Sequence, residues 1–132
     1  MRMQISKITD LSFNESLSDA SEFKMSGFLS EWLFSIGFWR AFNSEHGTMF
    51  DQFEEDEAET TVVQDVASAV AELVDSIGHS EEDVVEFAFR RLPDGTAITA
   101  NTTKEDLLKE LKSLHQFLEA SVERKSTLLF SL

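Results

Sequence analysis

"VVEFAFRRLPDGTAITA", residues 84–100, admits two readings, and the fold class turns on which is taken. The stretch before it, "IGHSEED" (77–83), carries helix punctuation. Gly78 suits the position just past a helix end, Ser80 suits an N-cap, and Asp83 sits at the capping-box position. The acids that follow Ser80 are favoured in a first turn by the helix dipole. Against a helix, Val85, Phe87 and Phe89 alternate with period two, as in a half-buried strand. "LPDGT" (92–96) is a good turn and "TAITA" (96–100) a suitable return strand. The helix has the stronger start signal and the hairpin is its rival. With the helix taken, the expected fold is mainly α: a single-domain bundle over 1–132 of about four to five helices. The alternative adds one short β-hairpin near residues 84–100.

The flanking segments favour helices. In "TTVVQDVASAVAELVDSIG" (60–78), Val62, Val63, Val66, Val70, Leu73, Val74 and Ile77 recur at helical spacing, with Asp65, Ser68, Glu72 and Asp75 on the opposite stripe. In "TTKEDLLKELKSLHQFLEASVER" (102–124), Thr103 is the cap, with Asp106 three residues on. Leu107, Leu108, Leu111, Leu114, Phe117, Leu118 and Val122 form its apolar face. "FLSEWLFSIGFWRAF" (28–42) is apolar nearly all round, which predicts one helix at the centre of the core. "NESLSDASEFKMSG" (14–27) has caps and some helical spacing, with Gly27 as its stop, and predicts a short helix. The tail "STLLFSL" (126–132) is apolar and is expected to dock back on the body.

Composition narrows the class. The hydrophobic fraction of 42% is enough for a core. Twelve Phe and no Tyr put most rings in the interior or an interface, since Phe has no polar handle. The absence of cysteine excludes disulfides, thiol catalysis and thiolate metal sites, and suits a reducing compartment. The start of the chain lacks the continuous apolar stretch of a secretory signal, so a cytoplasmic protein without a membrane span is expected.

The charge is unevenly placed. Residues 41–89 contain 14 acids and no Lys or Arg, while the other 11 acids are matched by all 11 bases. The whole net charge of −14 therefore sits in one central block. Its densest part is "DQFEEDEAET" (51–60).

Catalytic signatures are absent from the sequence. There is no nucleophile elbow and no glycine-rich phosphate loop. His115 and Glu119 stand four apart, which reads as an exposed helical pair, and His79 lies in a corner beside Glu82 and Asp83. "DGTAITANTTKE" (94–105) has the length of a calcium loop but lacks its glycine and carboxylate positions. No metal or cofactor is expected. One enzymatic alternative pairs Glu54 and Glu57 with Glu72 and Asp75, resembling the magnesium site of all-α nucleotide pyrophosphatases. On one continuous helix those pairs would lie about 27 Å apart, so the reading needs a break near Thr60 and Thr61.

Recognition of a basic protein is the favoured reading, because a concentrated negative field steers cationic partners. Direct nucleic-acid binding is disfavoured by repulsion from the phosphate backbone. A small, acidic, cysteine-free chain with a patch such as "FDQFEEDEAE" (50–59) resembles bacterial immunity proteins that neutralise nuclease toxins, including those of contact-dependent growth inhibition. The resemblance implies an antitoxin that binds one cognate basic toxin domain without catalysis. The expected contact residues are Asp51, Glu54, Glu55, Asp56, Glu57 and Glu59, then Asp65, Glu72 and Asp75, with Phe50 and Phe53 as candidate anchors or, equally, core residues. An acidic secretion chaperone and a DNA-mimic protein are alternative binding classes. The chaperone is disfavoured because little strand is expected.

Overall fold

Residues 6–11, 22–51 and 54–132 are described by a computed structural model. The elements are β1 (Lys7–Asp10), β2 (Glu22–Lys24), α1 (Gly27–Ser35), α2 (Phe38–His46), β3 (Glu55–Ala58), α3 (Thr60–Gly78), β4 (Val84–Arg91), β5 (Ala97–Thr103), α4 (Lys104–Glu123) and β6 (Leu128–Ser131). The fold is mixed α/β, with four helices and two antiparallel sheets among the described residues, which corrects the expectation of a mainly α bundle.

The tail 126–132 supplies the largest correction. It does not merely dock; its strand β6 is an interior strand of a four-stranded sheet of order β2-β1-β6-β3. Two bonds beyond the strand ends set the parity of its ladder. Leu11 N–H donates to Thr127 O at 2.9 Å, and Leu132 N–H donates to Glu54 O at 3.1 Å. Hydrogen-bonded pairs alternate along an antiparallel ladder. Leu129 and Ser131 therefore bond with Thr9 and Lys7 on β1, and Leu128 and Phe130 bond with Ala58 and Asp56 on β3. Ile8, Leu128 and Phe130 share the face that is buried with the helices.

The helical core follows the sequence pattern. Val63, Val66 and Val70 of α3 and Leu107, Leu111, Leu114 and Leu118 of α4 are buried. Each such side chain removed from water stabilises the fold by about 1.5–3 kcal/mol. Thr103 caps α4 as expected, its Oγ1 accepting from Asp106 N–H at 3.1 Å. Ser26 caps α1 by accepting from Leu29 N–H at 3.0 Å. Glu110 of α4 clamps the same residue, taking Ser26 N–H and Oγ–H on its two oxygens at 2.7 Å each.

The single helix expected over 28–42 is two. Gly37 adopts a left-handed conformation (φ 76°) between α1 and α2, and its N–H bonds to Phe34 O at 3.1 Å. The corner leaves Ile36 46% exposed, while Trp39 is carried into the core on α2. The helix expected over 14–27 is replaced in its described part by β2 and a loop, with the rest outside the described residues.

Residues 84–100 form the hairpin, not the helix. β4 and β5 pair from Val84↔Thr103 to Arg91↔Ala97, with a bulge between Ala88 and Arg90. Val85 and Phe87 pack on the core, Phe87 against Phe28 at 5.2 Å. A two-stranded ribbon is marginal alone, so this packing on α1 decides against the helix. Ser80 Oγ accepts from Glu82 N–H at 3.2 Å, a local turn in place of the expected helix cap. At the hairpin tip Gly95 has φ 91°, and Thr96 N–H donates to Asp94 Oδ1 at 2.9 Å. That bond, chiefly, holds the Asp94 carboxyl below its ordinary value of 3.8. The bond thus supports the turn above the unfolded carboxyl range and is lost as pH falls through the lowered folded value.

A buried ion pair ties β1 to the end of α4. Arg124 Nη2 donates to Asp10 Oδ2 at 2.8 Å; the Asp10 side chain is fully enclosed and that of Arg124 is 39% exposed. Arg124→Ala removes this cation from the enclosed Asp10 carboxylate and is expected to cost about 3 kcal/mol in urea unfolding. Adding Asp10→Asn to that variant should restore part of the loss. Gly37→Ala meets no atom within 4 Å, so its cost is conformational alone. It should lower stability by about 1–2 kcal/mol, whereas a continuous helix over 28–42 would make the substitution stabilising.

Candidate functional site: an acidic sheet edge

The stretch 54–59 reads by propensity as helix, since Glu and Ala are good helix formers. It is a strand because β6 offers it an open ladder and because Ala58, 1% exposed, fills a core position opposite Leu128. Tertiary pairing overrides propensity here. β3 then passes through Glu59, the residue preceding α3, directly into Thr60.

Strand alternation splits the acids between two faces. Glu55 and Glu57 are exposed on the outer face. Ser131 Oγ donates to Glu55 Oε2 at 3.2 Å on that face. Asp56 lies on the helix face with Ala58; it is half-buried, and its Oδ2 is enclosed without a hydrogen-bond partner. Glu54 and Glu59 flank the strand and are exposed. Asp51 is exposed on the loop leading to it. Glu54, Glu55, Glu57 and Glu59 are thus brought together along one sheet edge.

The other predicted contact residues are placed elsewhere. Asp65, near the start of α3, approaches His46 of α2 with Oδ2 at 3.5 Å from Nδ1. Glu72 and Asp75 are exposed but lie roughly 18–22 Å farther along α3, at 1.5 Å per residue from Thr60. Asp75 is engaged locally, with its Oδ1 3.7 Å and its carbonyl O 2.8 Å from His79 Nδ1. Phe50 takes the core alternative: it is 4% exposed and packs on Trp39, Phe42 and Phe130 at centroid distances of 5.2, 5.9 and 5.0 Å. It anchors the core and also lines a cleft. Phe53 lies outside the described residues.

The pyrophosphatase alternative required its acid pairs on two neighbouring helices. Glu57 is on β3 and Glu54 precedes it, so the first helical pair does not exist. Among the described residues, no three His, Asp or Glu side chains converge to hold a metal ion. His115 and Glu119 form the expected helical pair at 3.6 Å.

Sequence reasoning missed this cleft, of about 420 Å³ and lined by α1, α2 and the loop 48–51. Arg40, Trp39, Asn43, Met49 and Asp51 are among its lining residues. Asn43 shapes its wall: Nδ2 donates to Phe50 O (2.8 Å), and Oδ1 accepts from Thr48 Oγ1 (2.7 Å) and Phe50 N–H (3.0 Å). The signal available in the sequence was Gly47, which ends α2 at φ 68° and turns the chain back over Asn43. Met49 projects from this loop and is 81% exposed. Asn43→Ala removes three hydrogen bonds and should cost about 1–3 kcal/mol. Faster amide exchange at Phe50 would report the loosened loop.

No helix among the described residues is long and apolar enough to cross a membrane. No protein-family model, curated protein or solved structure matches this chain.

Proposed function

We propose that the protein is an immunity-type antitoxin that binds a cognate basic toxin domain, of the nuclease class, and neutralises it without catalysis. The observation that carries this reading is the one-signed charge: residues 41–89 hold no Lys or Arg, and their densest acids line an exposed sheet edge. Fourteen like charges repel one another and disfavour the compact state. A surface needed only for solubility works with mixed signs. A cationic nuclease cleft, shaped to hold a phosphate backbone, is the complementary surface. Its partner here is a protein surface, and neither nucleic acid nor membrane is part of the proposal.

An acidic secretion chaperone is the second reading. The low strand content that spoke against it no longer does, because four strands form one sheet. The two readings differ in their partner: a toxin encoded by an adjacent gene, or a secretion effector.

The test is Glu54→Lys, Glu55→Lys, Glu57→Lys and Glu59→Lys combined, all at exposed positions. With fold retained by circular dichroism, the variant should fail to protect cells expressing the adjacent-gene toxin. Its association with the purified toxin domain should slow by at least about tenfold at low salt, the effect shrinking as salt rises. Undiminished protection by the folded variant would sink the acidic-surface reading.

A further inference from the structure

β3 is an edge strand, and the parity of the sheet shows which of its backbone groups are open. Glu54 pairs with Leu132 through Leu132 N–H, so the next hydrogen-bonded pairs on β6 are Asp56↔Phe130 and Ala58↔Leu128. The N–H and C=O groups of Glu55 and Glu57 therefore point away from β6. Among the described residues no strand pairs with that side of β3.

An open edge is a template for another strand. Its charge decides which strand it admits. A second copy of β3 would set Glu55 and Glu57 against like charges, which is destabilising across a ladder. A strand with cations at alternate positions would instead set one cation beside each glutamate. The position between them would lie on the same face as Asp56, whose Oδ2 is enclosed and lacks a donor. The opposite edge is different: on β2, Glu22 is already flanked by Lys7 and Lys24 at 3.7 Å each.

We propose that the outer edge of β3 receives an extended segment of the partner as a fifth strand of the sheet, with the pattern cation, hydrogen-bond donor, cation set against Glu57, Asp56 and Glu55. The proposal rests on the binding function above and gives it a mode. Backbone hydrogen bonds at Glu55 and Glu57 hold the segment, and the charges select it.

The probe is a short capped peptide with lysine at alternate positions and threonine between them. A control peptide of identical sequence and charge is N-methylated on alternate amides, so that it cannot join a ladder. Titration of the ¹⁵N-labelled full chain should show the unmethylated peptide binding at least about tenfold more tightly, as two backbone hydrogen bonds imply. It should slow amide exchange at Glu55 and Glu57. Glu57→Pro, which removes an outward N–H but none of those directed at β6, should weaken binding of the unmethylated peptide. If that variant misfolds, the methylated control carries the test alone.

Equal binding of the two peptides, or shifts that map away from β3, would overturn strand addition and leave the acidic-surface function standing. Binding of neither peptide would overturn it too, while the toxin-protection assay judges the function separately. Dimerisation of the free protein through β3, seen as protection at Glu55 and Glu57 that rises with protein concentration, would show the edge admits its own kind and would also overturn the proposal.

Discussion

Strand β6 is hydrogen-bonded on both sides, and the rest of the molecule is arranged around that fact. Leu129 and Ser131 satisfy β1, and Leu128 and Phe130 satisfy β3, so every residue of the strand has a fixed side and a fixed face. The 0% exposure of Leu128 and Phe130 sets the register, because a slip by one residue would turn both toward the outer face. Phe130 then receives Trp39 and Phe50 at 6.0 and 5.0 Å, which fixes α2 and the loop after it. A turn at Lys125, with φ 55°, delivers the chain from α4 into the strand, and the Arg124–Asp10 pair holds that turn to β1.

The acidic block acquires its meaning from this strand. As free chain or helix, residues 54–59 would scatter their carboxylates around an axis. As a strand they divide: Glu55 and Glu57 outward, Asp56 and Ala58 toward the helices. The same pairing that buries Ala58 exposes a backbone edge beside the densest acids of the chain. Charge and geometry thereby coincide at one margin of the sheet, while Glu72 and Asp75, chemically identical in the sequence, are carried away along α3. A steering field comes from all of them; close contact is available only where the edge lies.

The two long helices were legible because each repeats an apolar stripe over 19 or 20 residues, enough turns for the 3.6-residue period to be unambiguous. The short strands were not. β1, β2, β3 and β6 are three or four residues long, and a period of two cannot be distinguished from chance over so few positions. The hairpin was the informative intermediate case. Its alternation at Val85 and Phe87 was correct evidence, outweighed by capping residues that close a local turn. The contact of Phe87 with Phe28, 59 positions away, is what selects the strand, and no local pattern contains it. Phe50 went to the core for a related reason: an aromatic beside an acidic run is equally consistent with an anchor and with an interior residue.

The sequence by itself determined the charge asymmetry, the want of thiol chemistry, the apolar faces of α3 and α4 and the cap at Thr103, whereas Gly78, expected just past the end of α3, is its last residue and His79 is the cap. Each depends on residue identity or short-range spacing, which the chain carries locally. Only the tertiary structure decided that residues 55–58 are an edge strand, that the helix over 28–42 breaks at Gly37, and that the apolar tail is an interior strand. Those outcomes depend on hydrogen-bond partners and packing neighbours up to more than a hundred residues away, such as Leu129 beside Thr9. A backbone edge exists only relative to the strand that leaves it unpaired.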